Sequence, residues 1–385
     1  MEQKKEKKKG SLALLLPIAF GVGLGVILSN CIDFFLLEDL PEGSRLPMYI
    51  GMCLLFYAAF YVQIIFHEGG HLIFGLLSGY HFVSFRIGSL QLSKVGGKLR
   101  LGRFSIAGTG GQCLMAPPDM KDGKIPVIAY NLGGVVMNFL SGALSAALLL
   151  LLQAKGLFGF LLLSLTLSGF IMALTNGIPM KLNMVENDGR NALSLGKNPA
   201  ALRAFWLQLK VNAEIAAGKR LKDMPEEWFI LPEKTDMGNS MVTAVAVLCC
   251  SRLLDQGRYA EADAQMEQLL KGNSNVVGLH KCLMLCDRMC CEMLGQNRRD
   301  LVVEMRTQEV ENFMRAMKKY PSVIRTEYLY ALLVENNLFK CKELLKKFEK
   351  IGRSYPYPND MMADREMIAA AQRICESEAK TYGEI

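Results

Sequence analysis

Phe66-His67-Glu68-Gly69-Gly70-His71 decides how this chain is read, because it places two histidines and a glutamate at the end of an apolar run. On a helix, residues four apart lie one above the other on the same face, so His67 and His71 are spaced to grip one ion together. HExxH is the spacing of zinc hydrolases: the imidazoles are ligands, and Glu68 between them is placed to deprotonate a zinc-bound water. From Leu46 to Phe66 no residue is charged. That run matches the roughly 20 residues an α-helix needs to cross the hydrocarbon core of a bilayer. The combination points to zinc-dependent proteolysis in or at a membrane.

Three further stretches lack any Asp, Glu, Lys or Arg: Gly10 to Ile32, Ile125 to Ala154 and Gly156 to Met180. Each is long enough to span as a helix, and nothing comparable follows Lys181. The expectation is four transmembrane helices and then a water-soluble tail. Lys4, Lys5, Lys7, Lys8 and Lys9 precede the first span, and Arg86, Lys94, Lys98, Arg100, Arg103, Lys121 and Lys124 lie between spans two and three. By the positive-inside rule both sets are cytoplasmic, and an even number of spans returns the tail to the same side. The localisation read from this is a bacterial cell membrane, multi-pass, with both termini in the cytoplasm. Span one has the basic head of a signal peptide, but its apolar run is long and no A-x-A site follows, so it reads as a retained anchor.

The net charge of +7 is accounted for by this topology. A nucleic-acid partner is not expected, because the tail has no basic cluster interleaved with aromatics. The eleven cysteines do not form a disulfide pattern in a chain of this size. Cys282, Cys286 and Cys290 repeat every four residues beside Cys291 and near His280, and they read as a helix face packed with small apolar thiols.

A catalytic zinc site needs three protein ligands and an open position. With only four histidines in the chain, and His81 and His280 poorly placed, a carboxylate is the better third ligand. Asp188 follows shortly after span four, with Gly189 able to turn the chain back, and Glu186 is its rival. In span three Gly134, Asn138, Gly142 and Ala146 form a narrow small-residue stripe that lets helices approach closely, with Asn138 its one strong hydrogen-bonding group.

His67-Glu68-x-x-His71, Gly134-Val135-Val136-Met137-Asn138, Asn176-Gly177-Ile178-Pro179 and Asp188-Gly189 together resemble the site-2 protease family of intramembrane zinc metalloproteases, over roughly residues 47 to 190. Val135 stands where that family usually has Pro, and Lys181 to Glu186 lengthen the interval between Asn176 and Asp188. The resemblance implies zinc held by His67, His71 and Asp188, with Glu68 as general base. It also implies that Asn138 helps to hold the reacting carbonyl or orders the site.

Between Tyr80 and Lys124 the helical pattern gives way to short period-two alternation, as in Phe82 to Ile87, Leu90-Gln91-Leu92 and Leu99-Arg100-Leu101. Two or three strands are expected, followed by a loop at Gly108-Thr109-Gly110-Gly111. An exposed strand edge there could receive an unwound substrate segment. In the tail, Asn198 to Gly218 reads as an amphipathic helix and Gly218 to Asn239 as a linker. Helix–turn signals recur at Asp255-Gln256-Gly257, Gly295-Gln296-Asn297 and Glu335-Asn336-Asn337, about 40 residues apart, a spacing that resembles tetratricopeptide-type repeats.

The fold expected is therefore an all-α polytopic membrane protein of four transmembrane helices with a small β-hairpin insert and a cytoplasmic, tetratricopeptide-like helical domain. Its divisions are an anchor and loop (1–46), a protease core (47–190, insert 80–124), a helix and linker (191–240) and a repeat-like domain (241–385). The function expected is intramembrane proteolysis of membrane-embedded or membrane-associated proteins near the cytoplasmic face, with Zn2+ as cofactor. Membrane lipid and a cytoplasmic protein bound by the helical domain are the other expected partners. The alternative is a membrane scaffold with a vestigial zinc site whose repeats recruit cytoplasmic proteins.

Overall fold

Helix α1 (Glu42–Leu77) runs 36 residues without a break and carries the HExxH segment in its later turns. Met52, Ala59, Gln63, His67 and His71 are buried, spaced seven or four apart and so on one face. Leu46, Ile50, Leu54, Tyr57, Tyr61 and Ile65 lie exposed, the pattern of a helix whose outer surface faces lipid. It ends at Gly79, whose φ of +82° supplies the left-handed turn that closes the helix, with the Tyr80 N–H returning to the Gly75 carbonyl.

The computed structural model describes residues 42–95, 97–104, 109–180, 186–272, 274–353, 355 and 357–383. Three helices among them are long and apolar enough to cross a membrane: Leu46–Leu77 within α1, α2 (Val127–Leu151) and α3 (Gly156–Gly177). The expected first span, Gly10 to Ile32, and the lysines before it lie outside the described residues, so three spans rather than four are seen.

The chain forms two units, and α1 and α2 each run from one into the other. The first comprises residues 42–70 and 134–177 of the described chain. Its helices meet through small residues: a Cβ added to Gly169 would stand 2.9 Å from the Asn138 carbonyl oxygen and 3.0 Å from the Gly142 Cα. Such close approach is how helices associate where lipid removes the hydrophobic drive. Met52 and Phe160 form a small apolar core in this unit.

The second unit holds residues 71–133 and 178–383. Its sheet has four antiparallel strands in the order β3-β2-β1-β4, where β1 is His81–Ile87, β2 Leu90–Val95, β3 Lys98–Arg103 and β4 Gly111–Ala116. The expected hairpin is thus the β1–β3 part of a larger sheet. Strand β4 begins at Gly111, the last of the residues read as loop, because it pairs with β1 far upstream, a partner no local turn signal reveals. It turns Cys113 and Met115 into a core with Tyr80, Tyr130, Leu202, Phe205 and Leu207. The short helix α4 (Asp188–Ser194) precedes α5 (Pro199–Ala216), the expected amphipathic helix. Asn198 caps α5 by accepting from the Ala201 N–H at 3.0 Å, with Pro199 in its first turn.

Residues 219–239, within the stretch read as a linker, contain two 3-10 turns. Arg252 donates to the Met224 carbonyl at 2.7 Å and lies over the Phe229 ring, and Met224 and Met237 are buried. Eight helices follow: α6 (Ser240–Asp255), α7 (Tyr259–Lys271), α8 (Gly278–Leu294), α9 (Arg299–Met305), α10 (Gln308–Ala316), α11 (Pro321–Leu333), α12 (Leu338–Gly352) and α13 (Met362–Gly383). Successive ones pack together, α6 on α7, α7 on α8 and α11 on α12, around a core rich in methionine and cysteine. Cys282, Cys286, Cys290 and Cys291 are free thiols buried in it, and burial raises the pKa of each.

Candidate metal centre

One helix carries two of the candidate ligands. His67 and His71 ride successive turns of α1, both buried, and each ring is held by its Nδ1 atom. His67 Nδ1 lies 2.7 Å from Asn138 Oδ1. The Asn138 amide nitrogen donates to the Gln63 carbonyl at 2.8 Å and to Gln63 Oε1 at 2.9 Å. With its NH2 group committed to two acceptors, Asn138 turns its oxygen to His67, so His67 Nδ1 must be the protonated nitrogen. His71 Nδ1 lies 2.8 Å from the Tyr130 carbonyl oxygen, which only accepts, so the same tautomer follows. In the neutral imidazole this tautomer leaves the lone pair on Nε2, the atom through which the ring can bind a metal.

Asp188 opens α4, and its placement is the work of Asn187. The Asn187 Oδ1 accepts from the Arg190 N–H at 3.1 Å and from the Met180 N–H at 3.0 Å, while its Nδ2 donates to the Ile178 carbonyl at 2.6 Å. One side chain thus caps the helix and ties it to the segment after α3. Gly189, expected to make a tight turn, lies in the first turn of α4 and has no left-handed φ. The Asp188 Oδ2 stands 3.4 Å from His71 Nε2. Two donors bound to one tetrahedral zinc ion at about 2.0–2.1 Å are separated by about 3.3–3.4 Å, so this spacing fits shared coordination. Ligand atoms of His67, His71 and Asp188 all lie within 4.8 Å of one another. Two imidazole nitrogens and a carboxylate suit a borderline divalent cation and leave a coordination position open.

The rival Glu186 instead pairs with Arg190 at 3.0 Å and belongs to no such group among the described residues. Glu68 follows His67 and is half-buried, turned by one residue's rotation from the ligand face. Asn176 does not join the centre by any described bond: its Nδ2 donates to the Met172 carbonyl in its own helix. His81 is exposed on β1, and His280 lies on α8, where burial lowers its pKa.

Four supporting residues escaped the sequence reading or were read only as packing. Gln63 holds Asn138, Asn187 positions Asp188, and Tyr130 holds His71 through its backbone while its ring stacks on Tyr80 at 4.6 Å. Gly134, read as part of a packing stripe, gives the His67 ring its space: a Cβ there would lie 2.6 Å from Cε1 and 2.7 Å from Nδ1. Gln63 carried a legible signal, as the one amide in the run from Leu46 to Phe66 and one turn before His67. No family model, no curated protein and no solved structure matches this chain.

Proposed function

We propose that this protein is an intramembrane zinc metalloprotease of the site-2 type, hydrolysing peptide bonds of membrane-embedded or membrane-associated proteins towards the cytoplasmic face. The observation that carries the reading is the pair of HExxH imidazoles with Nδ1 occupied, together with Asp188 at ligand-to-ligand distance from His71 Nε2. Its setting on a helix apolar enough to cross a membrane favours a substrate met in the bilayer rather than in solution. What a zinc ion supplies when bound is Lewis acidity and a nucleophile available near neutral pH.

The protein's own groups do the rest. His67, His71 and Asp188 hold the ion. Glu68 takes the proton of the attacking water and delivers it to the leaving amine. Asn138 is already engaged with His67, so its part is to orient a ligand rather than to hold the substrate carbonyl. Strand β3 is exposed along its whole length and forms one edge of the sheet, a surface on which an unwound substrate segment can pair. The helices from α6 to α13 are proposed to act as tetratricopeptide-like hairpins that engage a cytoplasmic protein.

The test is to purify the full chain in detergent, count bound zinc, and assay cleavage of candidate membrane substrates. Wild type and Glu68→Ala should each hold about one zinc, and the variant should lose about 10²–10⁴-fold in rate, the range for a general base. A wild-type chain that binds no metal, or a Glu68→Ala chain that still cleaves, would overturn the reading.

A further inference from the structure

The helical region after α5 lines a cavity of about 240 Å³ that the metal centre does not use. Sites for drug-sized ligands run to roughly 300–1,000 Å³, so this one suits a single side chain or a small amine. Leu254 of α6, Met284 of α8 and Met361 before α13 give it apolar walls. Two arginines and four aspartates also line it: Arg220 and Arg325 against Asp255, Asp287, Asp360 and Asp364.

The bonds show where charge is left over. Arg220 is matched within its own group: it donates to Asp255 at 3.0 Å and to Glu366 at 2.6 Å, and the other Asp255 oxygen accepts from the Lys222 N–H. Arg325, buried on α11, donates through Nη1 to Asp364 Oδ1 at 2.9 Å and through Nη2 to Asp287 Oδ1. One guanidinium thus faces two carboxylates, and Oδ2 of each accepts from no donor among the described residues. Asp364 is only 8 % exposed, so that oxygen is turned towards the cavity it lines rather than out to bulk water. Burial lifts the Asp364 carboxyl to about 7 against the pull of Arg325, and the Asp287 and Asp360 charges add to the rise.

A network that only holds helices together neutralises itself, since a buried charge without a partner is costly. This one keeps surplus negative charge beside apolar walls, surroundings that suit a cation carried on an apolar stem, as in lysine and arginine. A divalent metal ion fits worse, because calcium takes about 6–8 oxygens and two arginines stand among the few offered here. We propose that this cavity binds one organic cation, a guanidinium or alkylammonium group on an apolar stem, with its charge on Asp287 and Asp364. Nothing in it depends on a metal at His67, His71 and Asp188. Where the cation is borne by a protein, it rests on the partner reading of the helical domain and gives that partner a chemistry: a segment presenting a lysine or arginine.

The test is isothermal titration of the full chain in detergent at pH 8, where Asp364 is ionised. The probes are butylguanidinium, n-butanol as the uncharged stem, calcium as a bare ion, and an acetylated, amidated Gly-Arg-Gly peptide. Butylguanidinium should bind one to one, and neither n-butanol nor calcium should compete with it. Asp287→Asn and Asp364→Asn each keep an acceptor for Arg325 and should weaken binding about 10- to 100-fold, the range for a hydrogen bond to a charged group. Ala363→Met, which fills the cavity and leaves every carboxylate in place, should abolish it. Glu261→Gln, at a surface acid paired with Arg258, should leave it unchanged.

A folded wild-type chain that does not bind butylguanidinium would overturn the proposal, and so would displacement by calcium or an affinity that Ala363→Met leaves untouched. Binding of the peptide as well assigns the cation to a protein segment. Binding of butylguanidinium without the peptide keeps the cation site and overturns the protein partner proposed for these helices. Zinc counted on the same samples reports on the metal centre separately.

Discussion

Gly134→Ala is the substitution with the most calculable outcome. A Cβ at this position would stand 2.6 Å from Cε1, 2.7 Å from Nδ1 and 2.8 Å from Nε2 of His67, where ordinary contact begins at 3.4 Å. The ring or the helix must therefore yield by about 0.8 Å, and the ring is not free to swing, because Nδ1 is held by Asn138. Metal–ligand distances tolerate only about 0.2 Å, so the forced shift is several times what coordination allows. Overpacking of this kind costs about 1–3 kcal/mol, and here it falls on the ligand itself. Zinc affinity should drop about 10- to 100-fold by chelator competition, with helical content unchanged. Gly142→Ala is the control: its Cβ would meet the Thr166 carbonyl oxygen at 3.3 Å, a tight packing contact far less severe. Equal affinity in Gly134→Ala and wild type would refute the argument that this glycine makes room for a ligating ring.

Asp188→Ala should abolish zinc binding while Glu186→Ala keeps it, as read by metal content after dialysis, since Glu186 is occupied with Arg190. Asn187→Ala should cost about 1 kcal/mol of local stability through the lost cap and weaken zinc binding although every ligand remains, checked by titration beside Asp188→Ala. In the helical domain, burial pushes the Asp364 carboxyl up to about 7 although Arg325 at 2.9 Å pulls it down. Its folded value exceeds the ordinary 3.8, so the native state holds the extra proton between those limits. The contribution to stability is then complete below about pH 3.8 and is lost as pH rises through 7. Asp364→Asn, which keeps an acceptor for Arg325, should remove that loss in denaturant melts run between pH 5 and pH 8.

What could be read in the sequence was whatever depended on local composition. The runs free of charge at Leu46–Phe66, Ile125–Ala154 and Gly156–Met180 each coincide with or lie within a helix long and apolar enough to cross a membrane, because that property is written in local composition. Asn198-Pro199 gave a helix start that the structure keeps. Strand β4 was missed because its partner β1 is distant in sequence. The proline-bearing stretch after Gly218 reads as a linker, and the burial of Met224 and Met237 depends on partners that a local window does not contain. Asp188 was a candidate for a reason the structure replaces: the geometry comes from the side chain of Asn187, not from the freedom of Gly189. Gln63 and Tyr130 carry no ligand signal of their own, since they touch the candidate ligands without belonging to the group.

The length of α1 has a consequence for the membrane itself. At 1.5 Å per residue, the rise from Leu46 to His67 is about 32 Å, close to the thickness of a bilayer's hydrocarbon core. On the proposed reading, in which this helix spans the bilayer, it is a ruler whose far mark is His67. In a thinner bilayer the same helix must tilt or push His67 further into the headgroup region, and in a thicker one it draws His67 down among the acyl chains. Lipid chain length then becomes a control variable for how much water reaches Glu68, and bilayers of graded thickness offer a way to dial the site between wet and dry without altering one residue.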